Sequence, residues 1–257
     1  MKGVILAGGL GTRLRPLTLV TNKHLLPVYD RPMIYYPIEC LRNAGIDEVL
    51  IVTGGEHAGD FLKLLKNGQD TGLKRLAYAY QEGEGGIADA LRLAEDFAEG
   101  SKICVILGDN IIEGNIRRAA GDFFSQPTGA KLLLKEVHDP QRFGVASLDD
   151  NGNITGIVEK PKDPPSNKAV TGIYFYDGSV FDMCNNLEPS ARGELEITDV
   201  NNMYLERGDL SWTELDGWWT DAGTFESLHR AASYVARDGA NKTPEQMAAG
   251  SVEVASS

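Results

Sequence analysis

The sequence predicts an α/β fold in which helices cover both faces of a doubly wound, mixed sheet. Short, continuous apolar runs alternate with amphipathic segments over the first 110 residues, a pattern typical of parallel strands joined by helices. Glycine-rich and acidic sequences follow the ends of two of these runs, where an open α/β sheet binds its ligands. A chain of 257 residues is long enough to bury the core of such a domain.

The first half of the chain alternates strands with helices. A long loop over residues 8–30 follows the first strand, and loops of this length in compact domains are usually functional. The alternation predicts a parallel sheet with right-handed crossovers. The predicted strands cover residues 2–7, 48–53, 75–80 and 102–107, and the predicted helices cover residues 32–44, 57–66 and 87–97.

The second half is richer in strands and completes a mixed sheet. Asp150-Asn151-Gly152 indicates a hairpin with a type I′ turn. We expect one domain over residues 1–239, with halves at about 1–130 and 131–239, and a polar, weakly ordered tail over residues 240–257. The predicted strands are 131–137, 144–147, 154–159 and 170–176, and the predicted helices are 179–186, 197–207 and 224–237.

Composition and charge exclude several classes of function. A net charge of −12 and a pI near 4.8 argue against binding to nucleic acid or to an anionic membrane surface. No apolar run reaches the length of a membrane span, and the first residues read as a strand and not as a signal peptide. The three cysteines are widely spaced, which favours buried free thiols and a cytoplasmic location.

The opening loop is the clearest ligand-binding signal. It contains Gly8, Gly9 and Gly11, followed by Arg13 and Lys23, and the first 29 residues contain four lysine or arginine residues and no aspartate or glutamate. Such a loop at a strand end predicts an anion site. It matches neither the Walker A pattern nor G-x-G-x-x-G, which argues against P-loop and NAD chemistry. The alternative is that the glycines only form a turn.

Two further signals follow strand ends, each with a structural alternative. Asp109 ends the fourth buried run, where a carboxylate binds Mg²⁺ or a hydroxyl group, or else caps the next helix. Glu159 and Lys160 close a later strand and either face a cleft or form a solvated ion pair.

The remaining two signals lie near the end of the chain. Arg192, on a loop with proline and glycine, is a candidate anion ligand, although the acidic residues after it also suit a helix start. Trp219 and Asp221 resemble a sugar platform with a second carboxylate, or else a core tryptophan before a helix capped by Thr224.

Taken in order, these motifs closely resemble those of the glucose-1-phosphate thymidylyltransferases, a family of sugar nucleotidyltransferases, from Lys2 to about Val235. The strings that carry the resemblance are Leu6-Ala-Gly-Gly-Leu-Gly-Thr-Arg-Leu-Arg-Pro-Leu-Thr18, Asn22-Lys-His-Leu-Leu-Pro27, Pro32-Met-Ile-Tyr-Tyr-Pro37, Leu107-Gly-Asp-Asn110, Arg142-Phe-Gly-Val145, Glu159-Lys-Pro161, Val170-Thr-Gly-Ile-Tyr-Phe-Tyr-Asp177 and Arg192-Gly-Glu-Leu-Glu-Ile-Thr-Asp199.

The resemblance implies a Rossmann-like, GT-A-like nucleotidyltransferase fold with a nucleotide-binding first half and a β-rich sugar-binding second half. It implies transfer of a thymidylyl group from dTTP to glucose 1-phosphate, with Mg²⁺ as cofactor and dTDP-glucose and pyrophosphate as products. It also implies a homo-oligomer, dimer or tetramer. The alternatives are the same reaction with UTP or another hexose 1-phosphate, and a non-catalytic protein that binds nucleotide sugars.

The resemblance assigns roles to individual residues. Those implied for catalysis are Arg13, Lys23, Asp109, Lys160 and Asp221, of which Asp109 and Asp221 hold the metal. Those implied for nucleotide binding are Leu6, Gly8, Gly9, Gly11, Thr12, Arg13, Lys23, Gln81, Gly86 and Asp109. Those implied for the sugar phosphate are Asn110, Gly144, Glu159, Lys160, Val170, Tyr174, Arg192 and Trp219.

This chain departs from the family pattern at two points. Many members have Gln where this chain has His24, which bears on the preference for dTTP over UTP. Longer members continue into a helical region that contributes to an allosteric site for dTDP-rhamnose, so we expect weak or absent feedback by that route here.

Overall fold

The computed structural model describes residues 1–247 and contains, within that range, a nine-stranded mixed sheet with helices on both faces. The strands are β1 (Lys2–Ala7), β2 (Pro27–Val28), β3 (Arg31–Pro32), β4 (Glu48–Gly54), β5 (Arg75–Gln81), β6 (Ile103–Leu107), β7 (Asn110–Ile112), β8 (Ala130–Glu136), β9 (Gly144–Leu148), β10 (Ile154–Glu159), β11 (Lys168–Tyr176), β12 (Leu210–Glu214) and β13 (Trp219–Asp221). The helices are α1 (Tyr35–Asn43), α2 (Ala58–Leu65), α3 (Ile87–Arg92), α4 (Glu95–Ala98), α5 (Arg117–Ser125), α6 (Val180–Asn185), α7 (Ile197–Glu206) and α8 (Phe225–Asp238).

The main sheet has the order β10-β9-β11-β6-β1-β4-β5, and β8 joins β11 to β12. Strands β6, β1, β4 and β5 are mutually parallel, which confirms the prediction for the first half. Strand β11 runs antiparallel to β6, β8 and β9, so the second half makes the sheet mixed, as expected.

Alternate side chains of β1 enter two separate cores. Val4 and Leu6 pack beneath α3, α4, α6 and α7, whereas Ile5 and Ala7 pack beneath α1, α2 and α5. Both faces of this strand are therefore buried, which is why residues 4–7 are all apolar instead of alternating between apolar and polar.

The structure corrects some of the sequence-based elements. The helix expected over residues 87–97 is divided into α3 and α4, and the short strands β2, β3, β7, β12 and β13 were not predicted. The β9–β10 hairpin forms, but the type I′ turn is wrong, because only Gly152 of its turn residues has a positive φ. Instead, a carboxylate oxygen of Asp149 accepts the backbone N–H groups of Asn151 and Asn153 at 2.9 and 2.8 Å and closes a longer turn.

Strands β7 and β13 form a separate two-stranded ladder beside the main sheet. Asp221 lies opposite Asn110, and the N–H of Ala222 donates to the Asp109 carbonyl at 2.8 Å. This ladder joins segments that are more than a hundred residues apart in the sequence, and it precedes α8, which begins with the capping box of Thr224 and Ser227.

The chain remains in contact with the domain beyond α8. Asn241 is buried and donates to the Tyr36 carbonyl at 3.0 Å, and Lys242 pairs with Glu113 at 2.9 Å. These contacts fall within the predicted polar tail, of which residues 248–257 lie outside the described residues. All three cysteines are buried free thiols, as predicted, and no helix between residues 1 and 247 has the length and apolarity needed to cross a membrane.

Gly172 in β11 offers a test of how tightly the sheet holds the β7 segment. A Cβ there would lie 2.5 Å from Asn110 Nδ2, whereas a Cβ at Gly156 in β10 would meet nothing within 4 Å. We expect Gly172→Ala to lower the free energy of unfolding by about 1–3 kcal/mol because of this overlap. Gly156→Ala is the matched control and should be neutral or slightly stabilising. Urea unfolding of the two variants measures the difference, and equal stability would contradict the close packing.

Candidate active site

A cavity of about 530 Å³ opens at the carboxyl edge of β1 and β6 and extends to β9, β10 and β11. It therefore spans the two predicted halves of the domain. Every site residue predicted from the sequence lines it except Arg192. The predicted residues that line it are Leu6, Gly8, Gly9, Gly11, Thr12, Arg13, Lys23, Gln81, Gly86, Asp109, Asn110, Gly144, Glu159, Lys160, Val170, Tyr174, Trp219 and Asp221.

Two glycines of the opening loop lie close to neighbouring side chains. A Cβ at Gly8 would lie 2.5 Å from Gln81 Oε1, and one at Gly11 would lie 2.8 Å from Lys23 Cβ. Gly11 also has a φ of +63°, which favours glycine. The glycines therefore do shape a turn, but that turn places Arg13 and Lys23 at the cavity, so the turn-only alternative is incomplete.

Lys23 and Asp109 form an ion pair in the cavity wall. The Lys23 ammonium lies 2.6 Å from Asp109 Oδ2, and both side chains are less than one-sixth exposed. Burial alone would raise the pKa of Asp109, but Lys23, with smaller contributions from His24 and Asn110, holds that pKa well below its ordinary value. Asp109 is not a helix cap, because α5 begins only at Arg117.

Asp221 faces the same cavity with a different partner. One terminal nitrogen of Arg142, Nη2, lies 3.1 and 3.0 Å from the two oxygens of Asp221. Burial and the negative charge of Asp109 raise the pKa of Asp221, while Arg142 opposes this shift. Thr224 caps α8 as the alternative predicted, and Asp221 still lines the cavity.

The two carboxylates converge on one point. A Cβ at Gly223 would lie 3.4 Å from Asp221 Oδ2, 3.5 Å from Asp109 Oδ2 and 3.7 Å from Arg13 Nη2. Within residues 1–247 no cluster of three or more potential metal ligands exists. Two carboxylates suit Mg²⁺ in particular, because Mg²⁺ often takes one or two protein carboxylates and completes its shell with water and phosphate oxygens.

The opposite end of the cavity is polar and suited to hydroxyl groups. Glu159 accepts a hydrogen bond from the Thr198 hydroxyl at 2.6 Å, and its other oxygen lies 3.2 Å from the Lys160 ammonium. A Cβ at Gly144 would lie 3.3 Å from both Glu159 Oε2 and Thr198 Oγ1. The ion pair considered for Glu159 and Lys160 therefore exists and also faces the cavity. Tyr174 lies beside them, buried.

Arg192 stands outside the cavity lining. Its guanidinium pairs with Glu196 at 2.7 Å and reaches Glu159 at 3.5 Å. It lies just before α7, where the acidic residues form the helix start that the sequence also allowed. Arg192 thus touches the cavity only indirectly, because its terminal nitrogen contacts the cavity residue Glu159.

Three predicted site residues, Asn110, Trp219 and Gln81, form hydrogen bonds with neighbouring groups of the protein. Asn110 Oδ1 accepts hydrogen bonds from Trp219 Nε1 at 2.7 Å and Gly172 N–H at 3.0 Å. Gln81 donates to Asp89 at 2.9 Å. These contacts fix the walls of the cavity.

His24 is a buried residue of the opening loop and also lines the cavity. Its Nδ1 bonds to Asn22 at 2.8 Å, and burial, with help from Lys23, lowers the pKa of His24 to about 3, so the ring is neutral at pH 7. A Cβ at Gly108 would lie 2.7 Å from the His24 ring. The side chain therefore packs between the opening loop and the end of β6.

Three further residues line the cavity although no role was expected for them from the sequence: Arg142, Thr198 and Asn201. Arg142 lies in one of the strings that carried the family resemblance, which was the available signal. Thr198 and Asn201 are on α7, and their helical spacing alone gave no reason to separate them from core residues.

Comparison with known proteins matches residues 2–238 to the family model described as Nucleotidyl transferase. A glucose-1-phosphate thymidylyltransferase of Neisseria gonorrhoeae is 49% identical over 91% of this chain and 82% of its own length. One of Xanthomonas campestris is 46% identical over 91% and 80%. A solved structure of a candidate glucose-1-phosphate thymidylyltransferase of Bacillus anthracis has 54% identity and a TM-score of 0.88 over 93% of this chain and 96% of its own. UDP-glucose pyrophosphorylase, at 24% identity and a TM-score of 0.82, covering 92% and 98%, shares the fold.

The opposite pKa shifts of the two carboxylates predict opposite effects on stability. The ionised form of Asp109 is favoured by folding, so Asp109→Asn should lower the free energy of unfolding at pH 7 by about 1–3 kcal/mol. The ionised form of Asp221 is disfavoured, so Asp221→Asn should leave stability unchanged or raise it.

Urea unfolding at pH 7 with EDTA measures both variants. The ionised Asp109 stabilises the fold above about pH 4, the ordinary aspartate pKa, and this contribution is lost as the pH falls further, so the deficit of Asp109→Asn should shrink there. Equal destabilisation by both substitutions would contradict the assignment.

Proposed function

The chain belongs to the nucleotidyl transferase family, and we propose that it transfers a thymidylyl group from dTTP to glucose 1-phosphate, forming dTDP-glucose and pyrophosphate. The observation that carries the proposal is the convergence of Asp109, Asp221 and Arg13 on one point in a cavity that a glycine-rich loop lines at one end and polar side chains line at the other. Relatives of about half-identical sequence bear the name of this activity, which supports the choice of substrates.

The residue types in the cavity suit this reaction. A phosphate oxygen of glucose 1-phosphate forms the new bond to the α-phosphorus of dTTP, and the bond from that phosphorus to the bridging oxygen breaks as pyrophosphate leaves. The attacking group is already ionised at pH 7, so alignment and charge neutralisation matter more than a strong base. Arginine, lysine and aspartate meet those needs.

Positions around the cavity suggest how the work is divided. Arg13 and Lys23, on the opening loop, would bind the triphosphate and stabilise the departing pyrophosphate, while Lys160 would hold the phosphate of the sugar. Glu159 and Tyr174 would bind sugar hydroxyls. Asp109 and Asp221 would hold Mg²⁺, which when bound neutralises phosphate charge and orients the reacting groups.

The cellular setting belongs to the same proposal. Three buried free thiols support a reducing, cytoplasmic location. We also propose a homo-oligomer, dimer or tetramer, by resemblance to the glucose-1-phosphate thymidylyltransferases, and sedimentation velocity would measure its size.

A substrate panel tests the reaction itself. Pyrophosphate release should require glucose 1-phosphate and a nucleoside triphosphate together with Mg²⁺, and dTTP should give a higher kcat/KM than the other triphosphates. Greater activity with UTP, or with another hexose 1-phosphate, would replace the named substrate within the same reaction class. Absence of turnover with every pair would overturn the proposal.

Lysine substitutions test the division of work between the two ends of the cavity. We expect Lys23→Ala to lower kcat by roughly two to four orders of magnitude, because it removes charge from the triphosphate side. Lys160→Ala should chiefly raise the KM for glucose 1-phosphate, by roughly tenfold or more.

Lys162→Ala is the matched control, since Lys162 is exposed, lies two residues from Lys160 and is absent from the cavity lining. It should change kcat/KM by less than about twofold. Near-normal kinetics for both Lys23→Ala and Lys160→Ala would contradict the assigned roles.

A further inference from the structure

Arg142 is paired with Asp221, one of the two carboxylates proposed to hold the metal ion. Its Nη2 lies 3.1 and 3.0 Å from both oxygens of Asp221, and Oδ2 is the oxygen that faces the point shared with Asp109. A cation that coordinates Asp221 must therefore share this carboxylate with the guanidinium or displace it.

The guanidinium of Arg142 is held by non-covalent contacts to two residues of its own loop, Asp139 and Phe143. Its Nη1 donates to Asp139 at 2.8 Å, and it lies over the Phe143 ring at 5.1 Å. Phe143 in turn packs on Trp219 at 5.0 Å. These contacts keep Arg142 aimed at Asp221 without a ligand.

The loop that carries Arg142 borders open space. Arg142 itself lines the main cavity, and Asp139 and Phe143 of the same loop line a second cavity of about 420 Å³. The guanidinium can consequently leave Asp221 without displacing a packed core.

The charged side chains near Asp221 come from several elements, but they differ in whether they contact its carboxylate directly. Asp109 raises its pKa, and Arg142, Arg230 and Arg13 lower it. Arg230, on α8, donates to the Thr220 hydroxyl at 3.3 Å, so its influence on Asp221 acts through space. Arg142 is the cation in direct hydrogen-bond contact with both carboxylate oxygens.

We propose that Arg142 is a positioning residue that serves as the counter-ion of Asp221 in the free protein and competes with the divalent cation for it. The inference rests on the proposed function in that Asp221 is taken as a metal ligand. When the metal takes Asp221, the guanidinium is released at the edge of a cavity suited to phosphate groups. Metal binding and phosphate binding are thereby coupled, because each favours the same position of Arg142.

The test is a titration of the free protein with Mn²⁺, in which electron paramagnetic resonance measures the concentration of unbound Mn²⁺. Arg142→Gln removes the competing charge and should tighten Mn²⁺ binding by about tenfold. Arg230→Gln is the matched control, since it removes a nearby charge without a contact to Asp221, and should tighten binding by no more than about threefold.

A rescue variant separates charge competition from a merely structural role. Arg142→Lys keeps the positive charge and should return Mn²⁺ affinity toward that of the unaltered protein. If Arg142→Gln does not fold, as judged by thermal unfolding, Arg142→Met keeps the aliphatic stem on Phe143 and carries the same expectation. The inference would be overturned if Arg142→Gln, or Arg142→Met in its place, bound Mn²⁺ no more tightly than Arg230→Gln does. It would also be overturned if neither variant bound Mn²⁺.

The Mn²⁺ affinity is measured without substrates and is therefore independent of the proposed reaction. Failure of the proposed function would appear as absence of dTDP-glucose formation by the unaltered enzyme. Failure of the present inference would appear as unchanged Mn²⁺ affinity in a protein that still turns over. The two results are therefore distinguishable.

Discussion

Opposite charges paired at the carboxyl edge of the sheet are the constraint on which the site depends. Lys23 is held by Asp109, Arg142 by Asp221, Lys160 by Glu159, and Arg192 by Glu196. Lys23 and Arg142 are partly buried and would be costly without a partner, whereas Lys160 and Arg192 are more exposed and their pairs contribute less to stability. Phosphate groups bring their own negative charge and can replace those carboxylates. A cavity built this way favours polyanions, because a neutral ligand cannot take over the pairs.

The geometry of these pairs depends on the small β7–β13 ladder. The main sheet supplies the ends of β1 and β6, but Asp221 comes from a segment more than a hundred residues after Asp109. Asn110 joins the pieces, because its side-chain oxygen accepts hydrogen bonds from Gly172 of β11 and Trp219 of β13. Three strands from distant parts of the chain therefore fix the separation of two carboxylates. This rigidity is what a site that works by alignment requires.

The sequence is informative about the part of this arrangement that repeats locally. Continuous apolar runs identified the parallel strands, because those strands are buried on both faces, and the residues after them were then assigned to the sheet edge. Strands β7 and β13 have three residues each, too few for any periodicity to appear. The Arg142–Asp221 pair joins residues 79 positions apart, and nothing in Pro140-Gln-Arg142 indicates its partner. Long-range ion pairs are set by the fold and not by a local pattern.

His24 illustrates how burial changes the meaning of a sequence departure. From the sequence, this position bears on the choice of nucleotide base. The structure shows a side chain only 1% exposed, bonded to Asn22 and packed against Gly108. A pKa of about 3 keeps the ring neutral, so it adds no positive charge beside Lys23 and does not compete with it for Asp109. The ring packs against Gly108 after the end of β6 and also lines the cavity, so this position can act on a ligand directly as well as through the placement of Lys23.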